Sequence, residues 1–368
     1  MTIVNMIDER KQLYSEAKIN SKSIGKKAFE NLSHSISRLL ERKIRDRLEK
    51  KEGVILLQNR RGFAPFIECK SCGYVEQCDR CNVTMTYHAT KKHMRCHYCG
   101  KVKPAPTTCT QCGGFEFSLN GFGTQRVEQE LAALFPSAVT VRMDMDTTTR
   151  KGSHEKILRQ FGEGGADILL GTQMVAKGLD FPRVTLVGVI SADTQMMLPD
   201  FRSAERTFQL LTQVAGRAGR STLAGEVIIQ TSQPNHYALK HVREHDFVGF
   251  YNEEIEFRKS INYPPFSRVI VVEFKGRNER NVEQTATSFG NQLFTLLNRE
   301  SILGPSPAVL SKIKNEYRWQ IIIKADKDGD KNGTRARHAV ARVVNNLSGQ
   351  SIKSKVKVTV DVDPVGIL

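Results

Sequence analysis

ADILLGTQMVAKGLDFPRVTLVGVI, residues 166–190, decides the fold. It opens on one continuous apolar run, 166–171, and closes on another, 184–190. A strand covered by helices on both faces reads this way, without polar alternation, and such strands belong to parallel sheets. The connecting loop, GTQMVAKGLDFP (171–182), leaves the first run with Gly171, Thr172 and Gln173, then Lys177, Gly178 and Asp180. Small residues and hydroxyls let backbone approach a phosphate, and Lys177 can neutralise one. A loop merely rich in turn residues would look similar.

The same pattern extends both ways. VILLQN (54–59) is a buried strand ending in Arg60-Arg61-Gly62, where open α/β sheets bind ligands. Residues 27–50 place Ala28, Leu32, Ile36, Leu40 and Ile44 at helical spacing. GFGTQRVEQELAAL starts a helix near Thr124, which can cap it. AVTVRMD (138–144) is a strand, 153–162 a helix opened by Ser153, 203–215 a helix and EVIIQT (226–231) a strand. Strand and helix alternate, so the fold is α/β with a parallel sheet. The amino-terminal IVNMIDE imitates a Walker B box, but no G-x-x-x-x-G-K-[ST] occurs among these residues for it to serve. It reads as a strand or linker.

QVAGRAGR (213–220) carries the second chemical signal. In a helix, Gln213, Arg217 and Arg220 share one face. Gly216 and Gly219 each cost a helix about 1 kcal/mol, which suggests close approach of another surface. Two guanidiniums on one face suit a triphosphate whose charge shifts in the transition state. A surface ion-pair helix is the plainer alternative.

All eight cysteines fall between residues 69 and 112, as Cys69/Cys72, Cys78/Cys81, Cys96/Cys99 and Cys109/Cys112. Each CxxC sets two thiolates on a turn, and two turns complete a closed tetrahedral zinc site. Eight thiolates give two structural zinc ions. Nested pairing, inner with inner and outer with outer, keeps the inner hairpin intact and is preferred; sequential pairing remains open. His88, His93 and His97 read as basic residues beside the sites. The module is too small to bury a core, so metal supplies its folding energy. It interrupts the α/β domain, giving segments 1–66, 67–116 and 117–234, and is expected to project from that domain.

Residues 235–368 read as a separate α+β unit. NHYALKHVREHDFVGFYNEEIEFRK is helical, SRVIVVEFKG a strand, 280–298 helical, GPSPA (304–308) a linker, YRWQIIIKA a strand and KVKVTVDVDP a strand. DKDGDKNG (326–333) has Lys331 where a calcium loop needs glycine, so it is a turn. Trp319, beside Lys312, Lys314 and Arg318, either stacks a base or fills the core.

Net charge is +16, which points to a polyanionic partner, nucleic acid first. No apolar run approaches the ~20 residues of a membrane helix, and MTIVNMIDERK has no signal-peptide core. The expected compartment is the cytosol, where paired CxxC means metal rather than disulfide.

LLQNRRGFAPFIECKSCG, the four CxxC pairs, GFGTQRVEQEL, ILLGTQMVAKGLDFP, QVAGRAGR and YPPF together resemble the PriA family of primosomal replication-restart helicases. The resemblance covers essentially the whole chain. It implies the RecA-like second lobe of a superfamily-2 motor, interrupted by a two-zinc insertion with nested pairing, plus a carboxyl-terminal α+β domain. NRRG, GTQMVAKGLDF and QVAGRAGR then look like motifs IV, V and VI. Arg217 and Arg220 would be arginine fingers, with Gln213, Gly178 and Asp180 lining the nucleotide cleft. Thr172, Gln173, Lys177, Arg60 and Arg61 would contact DNA. The implied activity is ATP-driven 3′→5′ unwinding for primosome assembly on forked and single-stranded DNA. The implied partners are single-stranded-DNA-binding protein and the proteins that load the replicative helicase, around a monomer in the bacterial cytoplasm and nucleoid. Family members carry a first lobe with the phosphate loop and DExH box before this part, so ATP and Mg2+ are expected only with that lobe. The chain is expected to be the carboxyl-terminal half, inactive alone. The competing reading is a non-catalytic zinc-containing DNA-binding scaffold.

Overall fold

The computed structural model describes residues 1–20, 35–58, 66–69, 71–79, 84–88, 92–96, 100–120, 124–144, 147–148, 152–172, 175, 181–216 and 225–367. The chain starts with strand β1 (Thr2–Asn5), helix α1 (Met6–Asn20), α2 (Arg38–Glu49) and β2 (Gly53–Gln58). The insertion follows, with β3 (Phe66–Cys69), β4 (Thr86–His88), β5 (His93–Arg95), β6 (Val102–Pro104) and β7 (Phe117–Asn120). The α/β chain resumes as α3 (Thr124–Leu134), β8 (Thr140–Met143), α4 (Ser153–Gly162), β9 (Ile168–Gly171) and β10 (Val184–Ser191). It continues through α5 (Asp193–Met196), α6 (Ser203–Ala215), β11 (Glu226–Thr231), α7 (Tyr237–Glu244) and α8 (Phe247–Ser260).

Six strands form one sheet in the order β1-β11-β10-β2-β9-β8, every pair parallel. The amino-terminal stretch is the edge strand. Its Asn5 side chain accepts from the Ile7 N–H at 3.0 Å and so starts α1, which leaves Asp8 no Walker role. Alternate residues of β2 serve opposite layers: Ile55 and Leu57 face one core, Val54 and Leu56 the other. That is why the run has no polar alternation. On the second face α2 lies close enough that a Cβ on Gly188 would meet Leu56 Cδ2 at 2.7 Å and Leu40 Cδ1 at 2.9 Å. Of the expected helix 27–50, the described part is α2, begun by Ser37, whose hydroxyl accepts from the Leu40 N–H at 3.2 Å. Ala28 and Leu32 lie outside the described residues. α3 starts at Thr124 as expected, and the Thr124 hydroxyl donates to Asp144 Oδ2 at 2.7 Å, tying α3 to the end of β8. The residue before α4 is Gly152, and Ser153 is the first helical residue, not the cap.

The carboxyl-terminal sheet holds β12 (Ser267–Gly276), β13 (Ile302–Ile313), β14 (Glu316–Asp326) and β15 (Lys357–Val362), in the antiparallel order β13-β14-β12-β15. Helices α9 (Glu279–Phe294) and α10 (Thr334–Ser354) cover one face. GPSPA lies inside β13 rather than in a linker. This is an edge strand with register shifts after Leu303 and Pro307, where missing N–H donors are tolerated. Trp319 is 5% exposed in the core under α9, so base stacking is excluded. DKDGDKNG is a turn: Asp330 Oδ2 accepts from the Ala336 N–H at 3.0 Å and so caps α10. The change of unit expected at residue 235 is placed by packing near residue 260, because Leu239, Val242 and Phe250 of α7 and α8 belong to the α/β core. Phe250 stacks on Phe208 of α6 at 4.3 Å.

His236 gives this junction a pH signature. Its Nδ1 accepts from the Ala238 N–H at 3.2 Å, which requires the neutral ring. Burial lowers its pKa from 6.5 to about 4. A depressed folded value means the unfolded chain takes the proton first, so stability is full above pH 6.5 and falls as pH drops towards 4. The expected loss is up to about 3 kcal/mol, and His236→Asn, which keeps a cap acceptor without titrating, should flatten the acid limb of a urea-stability profile.

Candidate metal centre and motor surface

The insertion leaves and re-enters the α/β lobe on one antiparallel pair, β3 with β7, from Phe66↔Asn120 to Cys69↔Phe117. The first cysteine turn hangs from this stem. The Gly73 N–H donates to the Cys69 carbonyl at 2.8 Å, and the Cys69 N–H to the Tyr74 carbonyl at 2.9 Å. The turn at Cys109 repeats this with Gly113 and Gly114, and the turn at Cys96 repeats it with Gly100 and Lys101. Gly73, Gly100 and Gly113 have φ of +76°, +76° and +74°, the left-handed conformation that glycine adopts without strain. The signal was in the sequence: three of the four CxxC pairs are followed by glycine, and the fourth, Cys78/Cys81, by Asn82.

Cys69, Cys72, Cys109 and Cys112 converge, with all four sulfurs within 4.8 Å of one another. Cys69 to Cys112 is 3.6 Å and Cys72 to Cys109 is 3.7 Å. Ligands about 2.3 Å from a tetrahedral zinc stand about 3.8 Å apart, so the donor set fits one ion with no open position. Burial pushes the Cys69 and Cys72 thiols up. Burial also acts on Cys112, but the Gly114 N–H and the neighbouring thiols outweigh it and hold Cys112 below its ordinary value. Such a set takes up metal only by releasing protons. Ile7 of α1 packs on this cluster, and Arg10 pairs with Glu68 at 2.5 Å. Among the described residues no histidine joins it.

Cys78 and Cys96 are 1% and 0% exposed and share another buried cluster. Cys81, Cys99 and His97 lie outside the described residues. The cluster of Cys78, Cys96 and Met94 includes Tyr263, Val269 and Ile322 of the carboxyl-terminal domain, so this half of the insertion packs against that domain.

On the α/β lobe, Thr172 follows β9 and is 8% exposed, its N–H donating to the Met143 carbonyl at 3.3 Å. β2 and β9 are adjacent and parallel, Leu57 opposite Gly171. The strands that precede Arg60-Arg61 and Gln173–Asp180 therefore end side by side at the carboxyl end of the sheet. Gln213 is exposed near the end of α6. α6 ends at Ala215, with Gly216 as its cap, and residues 217–220 of the helix expected over 213–220 lie outside the described residues. Glycine's low helix propensity accounts for the stop. A Cβ on Gly216 would meet the Gln213 and Thr212 carbonyls of its own helix at 3.7 Å. Arg60, Arg61, Gln173, Lys177, Gly178, Asp180, Arg217 and Arg220 lie outside the described residues.

Three family models match in succession. A helicase conserved C-terminal domain covers residues 124–222, a PriA DNA helicase Cys-rich region covers 78–104, and a primosomal protein N C-terminal domain covers 259–365. The replication restart protein PriA of Bacillus subtilis is 44% identical over 326 residues, 88% of this chain and 40% of that protein.

This chain belongs to the PriA family.

The PriA of Synechocystis is 40% identical over 90% of this chain and 39% of its own length, and that of Chlamydia trachomatis 41% over 89% and 43%. The chain thus spans about 40% of the length of the PriA relatives it matches. The PriA Cys-rich model holds the inner pairs, and the geometry adds the outer four thiols on the stem. The carboxyl-terminal model begins at residue 259, beside the boundary that packing sets. No helix among the described residues is long and apolar enough to cross a membrane.

Proposed function

We propose that this chain is the second motor lobe, zinc module and carboxyl-terminal domain of an ATP-dependent 3′→5′ DNA helicase for primosome assembly and replication restart. The observation that carries the reading is a parallel α/β lobe interrupted by a four-thiol metal centre, in a chain 44% identical to a replication restart protein. Arg217 and Arg220 serve as arginine fingers, and Gln213, Gly178 and Asp180 line the nucleotide cleft with a first lobe. Thr172, Gln173, Lys177, Arg60 and Arg61 hold the DNA backbone. The departure of two of these segments from adjacent strands supports that grouping.

The zinc content in this reading is two structural ions. The outer four cysteines hold one; Cys78, Cys81, Cys96 and Cys99 hold the other. Support for the second is the Cys96 turn, whose hydrogen bonds match those of the outer turns. The substrates are forked and single-stranded DNA, and the partners are single-stranded-DNA-binding protein and the loaders of the replicative helicase, in the bacterial cytoplasm and nucleoid. The protein works as a monomer. ATP and Mg2+ bind between this lobe and a first lobe that supplies the phosphate loop, so the 368 residues alone are inactive.

The test is reconstitution. The chain is mixed with a separately produced amino-terminal part of the Bacillus subtilis relative, and DNA-stimulated ATPase is measured. Recovery of activity supports the motor reading. DNA binding without recovery supports the scaffold reading, and DNA-stimulated ATPase in the isolated chain would sink the claim that it is inactive alone.

A further inference from the structure

We infer that the two cysteine sites hold different parts of the molecule: the outer site secures α1, and the inner site secures the carboxyl-terminal domain against the motor lobe and thereby positions α6. The inference rests on the reading that the inner pairs bind zinc.

The outer thiols pack with Ile7 of α1, and Arg10 of the same helix pairs with Glu68 on the stem. Among the described residues, none of the carboxyl-terminal domain belongs to that cluster. The inner cysteines are placed otherwise. Cys78 and Cys96 share one buried cluster with Phe201 of the motor lobe and with Tyr263, Ile322 and Ile367 of the carboxyl-terminal domain. Three units meet there around one ring. Tyr263 is fully buried, stacks on Phe201 at 5.0 Å and 26°, and carries Lys324 Nζ 5.0 Å from its own ring centre.

Two further ties run from this junction to α6. Arg258, which ends α8 just before Tyr263, pairs with Glu205 of α6 at 2.8 Å and with Glu254 at 2.6 Å. The chain end returns to the same place: Arg202 Nη1 donates to the Val365 carbonyl at 2.8 Å, and the Ile367 N–H donates to Asp200 at 3.4 Å. Phe201 and Arg202 immediately precede α6, whose far end leads to Arg217. Cys78 and Cys96 therefore form one wall of the contact that seats α6. Tyr263 is a positioning residue, acting through Phe201.

Hydrogen exchange on the zinc-loaded 368-residue chain tests this, with metal content measured in parallel. Cys78→Ser is expected to lower zinc from about two to about one per chain and to speed exchange on the order of tenfold in peptides 199–206, 263–272 and 363–367, leaving 3–12 unchanged. Cys69→Ser is expected to do the converse, loosening 3–12 and sparing the carboxyl-terminal peptides. If both variants loosen the same peptides, or if Cys78→Ser loses zinc while 263–272 stays protected, the inference is overturned. If Cys78→Ser loses no zinc, the inner metal assignment fails and the inference with it. Should Cys78→Ser not fold, Tyr263→Leu in the Cys69→Ser background probes the reverse direction, since coupling is reciprocal. Release of the single remaining zinc to a chelator should then speed about tenfold, and an unchanged rate refutes the coupling.

Discussion

Cys72→Ala is expected to remove one zinc ion per chain and to melt the stem half of the insertion while the parallel sheet stays folded. Cys72 Sγ is buried 3.7 Å from Cys109, and the other two thiols complete the set. Three thiolates and a water form a weaker site than four thiolates, and binding energy in such modules is folding energy, on the order of 10 kcal/mol for an intact site. The strands of the insertion are only three or four residues long and add little hydrogen-bonded support of their own around the outer thiols. The six-stranded sheet has two apolar layers of its own and does not draw on the thiols. Zinc analysis should therefore fall by about one ion, and circular dichroism should keep its helical signal. Acid should act in the same direction. Burial pushes the Cys69 and Cys72 thiols up, so protons compete for the ligands and zinc is retained at neutral pH and lost as pH falls. A variant with unchanged metal content would remove the outer site from this account.

The strands legible in the sequence were those whose burial left no ambiguity. β10 begins where its apolar run begins, because both faces are covered and every residue is apolar or small. β1 reads locally as a strand or linker, but its place at the sheet edge is not legible: its pairing with β11 joins residues over two hundred positions apart, and nothing local records that. β13 was read as a linker because proline and glycine usually end strands, yet an edge position permits them. Helix α10 was missed because Thr334–Ser354 mixes arginines, asparagines and alanines, and its apolar stripe of Val340, Val343 and Leu347 is narrow. The convergence of Cys69, Cys72, Cys109 and Cys112 was legible from spacing alone, whereas the burial of Cys78 and Cys96 with Tyr263 was not, since it depends on three distant segments folding together. Gln230 is a further instance. It is fully buried, its amide donating to the Ser35 and Ile190 carbonyls at 2.7 and 2.9 Å and accepting from the Ser37 N–H at 2.7 Å, a role no motif announces.

Arg217→Ala is expected to lower the DNA-stimulated ATPase of the reconstituted motor by roughly a thousandfold or more, chiefly in kcat, while leaving the thermal stability of the chain unchanged. The two halves of that outcome have separate grounds. An arginine aimed at a transferring phosphoryl group acts where charge develops, so its loss falls on the transition state more than on nucleotide binding. Stability is spared because α6 ends at Ala215, before the arginine, and its buried side chains, Phe208, Leu211 and Val214, lie within the helix. Arg217→Lys should recover little, since an ammonium cannot reproduce the planar fork. Gln213→Ala provides the contrast. That side chain is exposed on the last turns of α6 and carries no formal charge, so a loss of about a hundredfold or less is expected. The discriminating measurement is the pair of steady-state parameters for each variant with the same amino-terminal partner. A rise in KM alone for Arg217→Ala would reassign it from phosphoryl transfer to nucleotide or DNA capture, and equal activity in variant and parent would leave the arginine outside the motor's chemistry altogether.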